Sequence, residues 1–563
     1  MTTLIIGLLA GANFNVSQFR ENKKSFFVQW GIVSIVVGFA WSFYAWAFQP
    51  SLAFPFWGAA VWFVIVGWAL SAVYATFEHG AGHIPWAMTV VLVGCMCLRS
   101  IAGWDFFHAD ELKSFIGQVE SKPAAASLAP TDNHHIRMVP SELASWKADK
   151  VLGEAGTIGS RVHVGALTIQ MVDKRLKWVA PLEFNAFRHW QSSGVTPGYV
   201  VVDAEDANAP AHLVTRLGDV ELKLRYLPSA CFGDNLERHI YNADGGKYQH
   251  FVPIGWHFEL NDEGRPFWIV SLCKPTIQWN GLKVESLLLV DAQTGVVTDT
   301  KLAEVPGWVD RVIPAGLALC YLDWHGEYQS GWWNAVWAKD GVFEATGDNL
   351  EVVYGADGRC HYFTGLTSKS DKDSALLGIA LVDSRTGKAE RYPATGAHED
   401  ASISAVNAAV RNYAGYHGRE AIPYLLYGEL AFVVPVLSEN HLFQRLAIVR
   451  ASNSQVVLGT DKESALHEYQ RMLVTSGGNS ASPDVLVKSQ KASFKIERIT
   501  PDVQNGTTVW LLWSSQQPRI FSATSKVNEE IPNLRPGDSV TVEFLDGNST
   551  VIPISSIAIE WSK

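Results

Sequence analysis

The side chains with the most chemical potential in this 563-residue chain are His239, His250 and His257, grouped around a Gly245–Gly246 turn with Asp234 nearby. Imidazole and carboxylate are the usual ligands of zinc. Spacings of 11 and 7 residues across strands match no standard chelating pattern, so no metal site is predicted there. His134 and His135 are neighbours in an extended linker, where both cannot readily face one ion. Cys95 and Cys97 are two apart on a predicted helix and point to different faces. Cys231, Cys273, Cys320 and Cys360 allow one or two disulfides if their region faces an oxidising compartment; in a reducing one they are buried thiols. The chain has no G-x-x-x-x-G-K-[ST], H-E-x-x-H, G-x-S-x-G or C-x-x-C. No catalytic, cofactor-binding or metal-binding residue is therefore predicted, and no cofactor.

Two further stretches could carry recognition. The densest aromatic run is Trp324, His325, Tyr328, Trp332, Trp333 and Trp337. Exposed, it would stack on sugars or form an interface hot spot; core packing is the expectation. In PGWVDRV, Arg311 follows Trp308 and Asp310 and could belong to a pocket, although a capped turn suffices.

The elements that position these residues start in a membrane. Apolar stretches at roughly Phe26–Phe48, Phe54–Phe77 and Ile84–Gly103 are each about 20 residues, enough to cross a ~30 Å hydrocarbon core. The first two contain no Asp, Glu, Lys or Arg, and the third has only Arg99. Tryptophans cluster in these segments, several near the ends, as in an aromatic belt. Leu4–Leu9 is apolar but too short to span, and it has no basic leader or cleavage site of a signal peptide. Arg20, Lys23 and Lys24 precede the first span, against Arg99 and Lys113 around the end of the third. That bias predicts an N-terminus inside and a large C-terminal part outside the cytoplasm of a multi-pass inner-membrane protein. The spans carry almost no ionisable groups, so anchoring or helix packing is expected rather than transport.

The remainder divides into a juxtamembrane helix and linker (105–135), α+β regions at 136–315 and 316–476, a linker at 477–490, and a terminal domain at 491–563. Helices are expected at Pro181–Gln191, Ala401–Tyr413 and Thr460–Val474, the last with a Thr460/Glu463 capping box. An apolar strand ending in Asp recurs at 199–204, 287–295 and 379–387, with its Asp residues 88 and 92 positions apart. The last two continue into a Gly-containing turn, where Asp caps the backbone and Gly takes positive φ. Repeats of this length suggest tandem α+β modules rather than a solenoid.

The stretches LLLVDAQTGVVT (287–298) and IALVDSRTGKAERY (379–392) resemble PepSY domains, small α+β modules named from peptidase propeptides. The resemblance covers segments of about a dozen residues, and KWVAPLEFNAFRHW and PGWVDRVIP lie outside it. It implies an extracytoplasmic protein-binding or regulatory module without catalytic residues of its own.

Residues 492–562 read as five strands with a tight turn at Asn533–Asp538, similar to a small OB- or SH3-like β-barrel. Such barrels often bind nucleic acid, but the basic residues here are scattered among acids, and Trp510 and Trp513 fall on opposite faces. With 45 Lys and Arg against 56 Asp and Glu, a net charge of −11, nucleic acid is not the expected partner. The expectation is a membrane-anchored α+β scaffold or interaction protein with lipid and protein partners, homo-oligomerisation included. The rivals are an enzyme acting on envelope peptide or glycan, and a nucleic-acid-handling membrane component.

Overall fold

The computed structural model describes residues 2–12, 16–54, 58–79, 83–117, 119–121, 135–156, 158–347, 350–355, 358–368, 376–394, 396–427, 429–475, 489–504, 507–525, 527–545 and 550–562. Most of the first expected linker (122–134, with His134) and of the second (476–488) lies outside them.

Two helices, Lys23–Phe48 and Ala59–His79, contain windows long and apolar enough to cross a membrane. The third expected span is the helix His83–Ala102, of which Trp86–Ala102 qualifies only together with Asp105–Lys113, to which it is bent by 45°. Side chains such as Phe39 (76% exposed) and Phe77 (86%) point outward, an arrangement suited to a hydrocarbon solvent. The short apolar run forms a helix, Thr2–Gly11, laid against the first two long helices. Small residues permit the approach: a Cβ on Gly7 would stand 2.5 Å from the Ser34 carbonyl oxygen, and one on Gly67 2.5 Å from that of Ala10. The Trp30 and Trp68 indoles donate to the carbonyls of Leu8 and Leu9, near the end of that helix.

Beyond the apolar N-terminal helices, the chain builds four units, each a helix followed by a mainly antiparallel sheet. The helices are Ser141–Glu154, Leu236–Asn242, Ala315–Glu327 and Glu399–Val410. The sheets have five, four, six and five strands. Each of the two expected α+β regions contains two of the sheets. In the third sheet, Glu120–Ser121 adds a parallel strand beside Ala389–Tyr392 as the chain comes off the bundle.

One hydrogen-bond arrangement recurs in every unit. Met138 and Val139 donate their N–H groups to the Ala204 carbonyl, Arg225 and Tyr226 to Ala292, and Val312 and Ile313 to Ser384. In the fourth unit Ala397 donates to Ala451. The first donors, at 138, 225, 312 and 397, are 87, 87 and 85 residues apart, which gives the repeat its period. Each acceptor immediately follows the last residue of a strand. In three units that residue is Asp203, Asp291 or Asp383, whose Oδ1 accepts two downstream backbone N–H groups, as the Asp-terminated strands anticipate. In the fourth it is Arg450, paired with Glu429.

Period-two alternation sends the two faces of each sheet into different cores. Val200 and Val202 pack with the first helix, while Tyr199 packs with the second. Leu288 and Val290 pack with the second helix; Leu287 and Leu289 cover the segment leading into the third. Ala380 and Val382 join the third helix and Ile379 the fourth. Ala447 and Val449 then join the fourth helix, while Leu446 and Ile448 return to the first. Helices and sheets thus alternate around a closed four-unit ring. A last helix, Lys462–Thr475, adds Ala465 and Tyr469 to the core where the ring closes.

Several elements differ from expectation. Pro181 lies in the strand Arg175–Phe184, paired with Tyr199, and the helix begins only at Phe187, so burial in the sheet overrides the Pro-first-turn signal. The cap of the last helix is Asp461, whose Oδ1 accepts from Ser464 N at 2.8 Å, one residue beyond the predicted Thr460. The terminal domain has six strands instead of five, because the chain breaks at Ile496–Glu497 between Ser489–Lys495 and Arg498–Gln504. These are the two ends of the sheet order, and no pairing between them closes a barrel among the described residues.

Gly396 has φ of 130°, and a Cβ there would stand 1.9 Å from the Ala451 carbonyl oxygen, at the fourth inter-segment clamp. Gly396→Ala is expected to cost about 1–3 kcal/mol, read as a lowered thermal midpoint of the full chain in detergent. Gly307→Ala, at a position with open space around it, should leave the midpoint unchanged.

Candidate functional site at the membrane face

The ring meets the helix bundle along two seams. At the first, Leu52 N donates to Gln249 O at 2.6 Å, Ser51 Oγ to Phe251 O at 2.7 Å, and the Tyr241 hydroxyl to Pro50 O at 3.2 Å. The second is reached by the longest hairpin of the ring, Pro266–Ile277 and Asn280–Asp291, whose tip extends to the end of the bent helix. There Arg99 donates to Gln278 Oε1, the Trp279 indole to Ser100 O, and Asn280 to Asp105 Oδ1. The Tyr328 hydroxyl, from the third unit, donates to Asp105 Oδ2 at 2.8 Å. Both seams lie at the Phe48 and Ala102 ends of the helices. The Lys23 end is therefore the far one, because Trp41 and Tyr44 pack on Phe63 towards the ring.

Beside the second seam the aromatic run divides in two. Tyr328 is buried and Trp324 packs against the core, as expected, whereas Trp333 is 54% and Trp337 74% exposed. Phe106, just after the bent helix, stands 5.0 Å from Trp332, which continues through Trp333 to Trp337 at 5.0 and 4.7 Å between rings. This edge adjoins the apolar helices; were they in a bilayer, amphipathic rings there would favour the headgroup layer.

Beside the first seam is a cavity of about 780 Å³, walled by both bundle and ring. Trp41, Trp46 and Gln49 come from the first long helix and its end, and Arg238, Lys247 and His250 from the second unit. The helix Leu236–Asn242 is capped by Asn235, whose side chain accepts from Arg238 N, so Arg238 leaves its first turn towards the bundle. Its guanidinium lies 4.9 Å from the Trp46 ring centre, and its buried Nε has no hydrogen-bond partner. Lys247 pairs with Asp299 at 2.6 Å, and the Tyr248 hydroxyl donates to Asp244.

The histidine group singled out in the sequence does not converge. His239 contacts Gly295 O at 2.7 Å and packs on Tyr226, His250 lines the cavity, His257 is internal, and Asp234 pairs with Arg225. No group of three or more metal-type side chains lies together among the described residues. His135 pairs with Glu205. All six cysteines are free: Cys273 and Cys360 are buried, Cys320 is exposed and Cys231 half-buried. The four thiols that could have formed disulfides thus form none here.

Arg311 is neither in an open pocket nor held by a simple capped turn. It is buried between units with its Nη2 on the Ile169 carbonyl, beside Glu259 and Asp310. Tyr354 donates its hydroxyl to Asp310 at 2.7 Å. The matching position in the first unit, Arg137, is also buried and pairs with Glu420 and Glu351. Arg311 and Asp310 stood out in the sequence, whereas Arg137 and Glu259 did not; the echo of Arg137-Met-Val-Pro140 in Arg311-Val-Ile-Pro314 was the available signal. No protein-family model matches this chain, and no curated protein matches it either.

Burial first, then Asp310, push the Glu259 carboxyl up to about 8 against the pull of Arg311. Burial first, then Arg311, lower His257 to about 3. The folded chain thus binds fewer protons than the unfolded one at His257 from about pH 3 to 6.5, and stability there rises with pH. At Glu259 it binds more from about pH 4.5 to 8, and stability is lost as pH rises through the folded value. Urea unfolding of the full chain in detergent should show stability falling between pH 6.5 and 8.5. Glu259→Gln should lose most of that slope, and an unchanged slope would show Glu259 already ionised.

Proposed function

We propose that this protein is an integral membrane scaffold that presents its ring and terminal sheet to protein partners, without catalysis of its own. The observation that carries this reading is the double seam: two separate parts of the ring are hydrogen-bonded to the helix ends, which gives the outward surfaces a set pose above the bilayer. In this reading the units act as PepSY-like binding modules, the terminal sheet as a barrel-like contact domain, and copies of the chain are among the partners. The positive-inside bias supports an inner-membrane placement with the ring outside the cytoplasm, because Arg20, Lys23 and Lys24 lie around the far end of the bundle; Thr2 and Thr3 border the ring-side cavity, so the expected inside N-terminus does not go with this placement.

Photo-crosslinking residues placed at Val220 (69% exposed) and Val503 (72% exposed) test partner binding in native membranes. Discrete adducts of defined mass are expected, one of twice the chain mass if copies associate; no adduct from either position counts against the scaffold. Cys320 and Cys231 test sidedness, since the other ring thiols are buried. A membrane-impermeant maleimide should label them in intact cells, at mildly alkaline pH because burial and then Asp323 raise the Cys320 thiol. Labelling only after lysis reverses the orientation.

A further inference from the structure

We propose that the cavity at the first seam binds the phosphate of a membrane phospholipid, with Arg238 as the cationic contact and Trp46 as the surface that orients it. The proposal rests on the membrane reading above and adds a ligand to it.

The cavity is where a headgroup would lie. One wall is the ring-side end of a membrane-spanning helix and the other is the first turn of a ring helix with the loop after it. Its volume of about 780 Å³ exceeds what a free phosphate needs and suits a phosphate with its glycerol and the start of an acyl chain. Ile5, Trp41 and Ala45 supply apolar wall on the bundle side.

The electrostatics select the ligand. Neighbouring cations on this part of the ring are matched: Lys247 has Asp299 at 2.6 Å and Arg225 has Asp234 at 2.8 Å. Arg238 makes no ion pair among the described residues, and its buried Nε–H lacks an acceptor. A half-buried guanidinium with one face on an indole keeps its in-plane N–H fork for a carboxylate or phosphate. Thr2 and Thr3, the first residues of the ten-residue helix Thr2–Gly11, line the same space. The unsatisfied N–H groups of that first turn add positive potential. Asp244 also borders the cavity, with its carboxylate held by the Tyr248 hydroxyl at 3.0 Å. That negative charge disfavours a dianion. One unmatched cation beside it fits the fixed single charge of a phosphodiester better than free phosphate, a substantial part of which is doubly charged near neutral pH.

The test is native mass spectrometry of the full chain in detergent with phosphatidylglycerol, diacylglycerol of the same chains, or inorganic phosphate added separately. One phosphatidylglycerol per chain should be retained and diacylglycerol should not. Arg238→Gln should cut retention about tenfold, with Arg238→Lys in between. Ala45→Trp, which fills the cavity from the bundle side and leaves Arg238 in place, should abolish it. Thermal midpoints without lipid identify a variant that has merely unfolded, and the other variant then decides. Equal retention of the two lipids, or retention unaffected by both cavity variants, overturns the proposal. So does protection by millimolar inorganic phosphate without lipid binding, which would make the ligand a soluble anion. A chain that still needs detergent for extraction but binds no lipid removes this inference and leaves the membrane reading standing.

Discussion

Every sheet in the ring is apolar on both faces, and the rest of the architecture follows from covering the second one. A unit's own helix shields only one side. In the fourth sheet, Ala447 and Val449 face that unit's helix, while Leu446 and Ile448 face the other way. Burial of each large aliphatic side chain is worth about 1.5–3 kcal/mol. An open row of four units would leave one such face and one side of the first helix in water. Closure places the first helix against the fourth sheet, so neither end of the row remains. The carbonyl clamps fix each unit internally, because each ties the segment before a helix to the end of its own sheet.

Closure also explains where the charges lie. Arg137 and Arg311 occupy matching positions just before the first and third helices, at junctions between units. The second and fourth units have Leu224 and Gly396 there. Buried arginines at two of the four junctions distinguish otherwise similar interfaces, since a buried charge tolerates only the neighbour that pairs with it. The connector PGWVDRVIP belongs to this system. Arg385 donates to the carbonyls of Val305, Pro306, Gly307 and Val309, pinning the strap that delivers Asp310 and Arg311. A segment with no visible role in a hairpin repeat is thus the joint between the second and third units.

The membrane face combines the same economy with different physics. The long hairpin of the second unit and the third unit's helix touch the bundle end through polar groups, while Trp333 and Trp337 remain exposed beside them. The short helix Thr2–Gly11 enters the bundle on glycine contacts, and its first residues border the Arg238 cavity. A lipid in that cavity would couple the bundle to the ring at a third place.

Much of this was legible in the residues. Apolar runs without charges marked the long helices, and the Asp-terminated strands marked the repeat, because both depend on neighbours in sequence. Boundaries failed where burial outweighed local preference, as at Pro181, whose ring sits in a strand because that strand is buried on both sides. The third span stands differently: it reaches the length of a crossing only with the segment beyond the bend after Ala102, which composition does not reveal. The candidate site was almost invisible: Arg238 is one arginine in a polar helix, and only folding brings it 4.9 Å from Trp46, 192 residues earlier in the chain. The sequence by itself determined the long apolar helices, the repeat and the turn chemistry, each written in local spacing. The tertiary structure alone decided ring closure, the junction charges and the cavity, because these are contacts between units whose partners lie far apart along the chain.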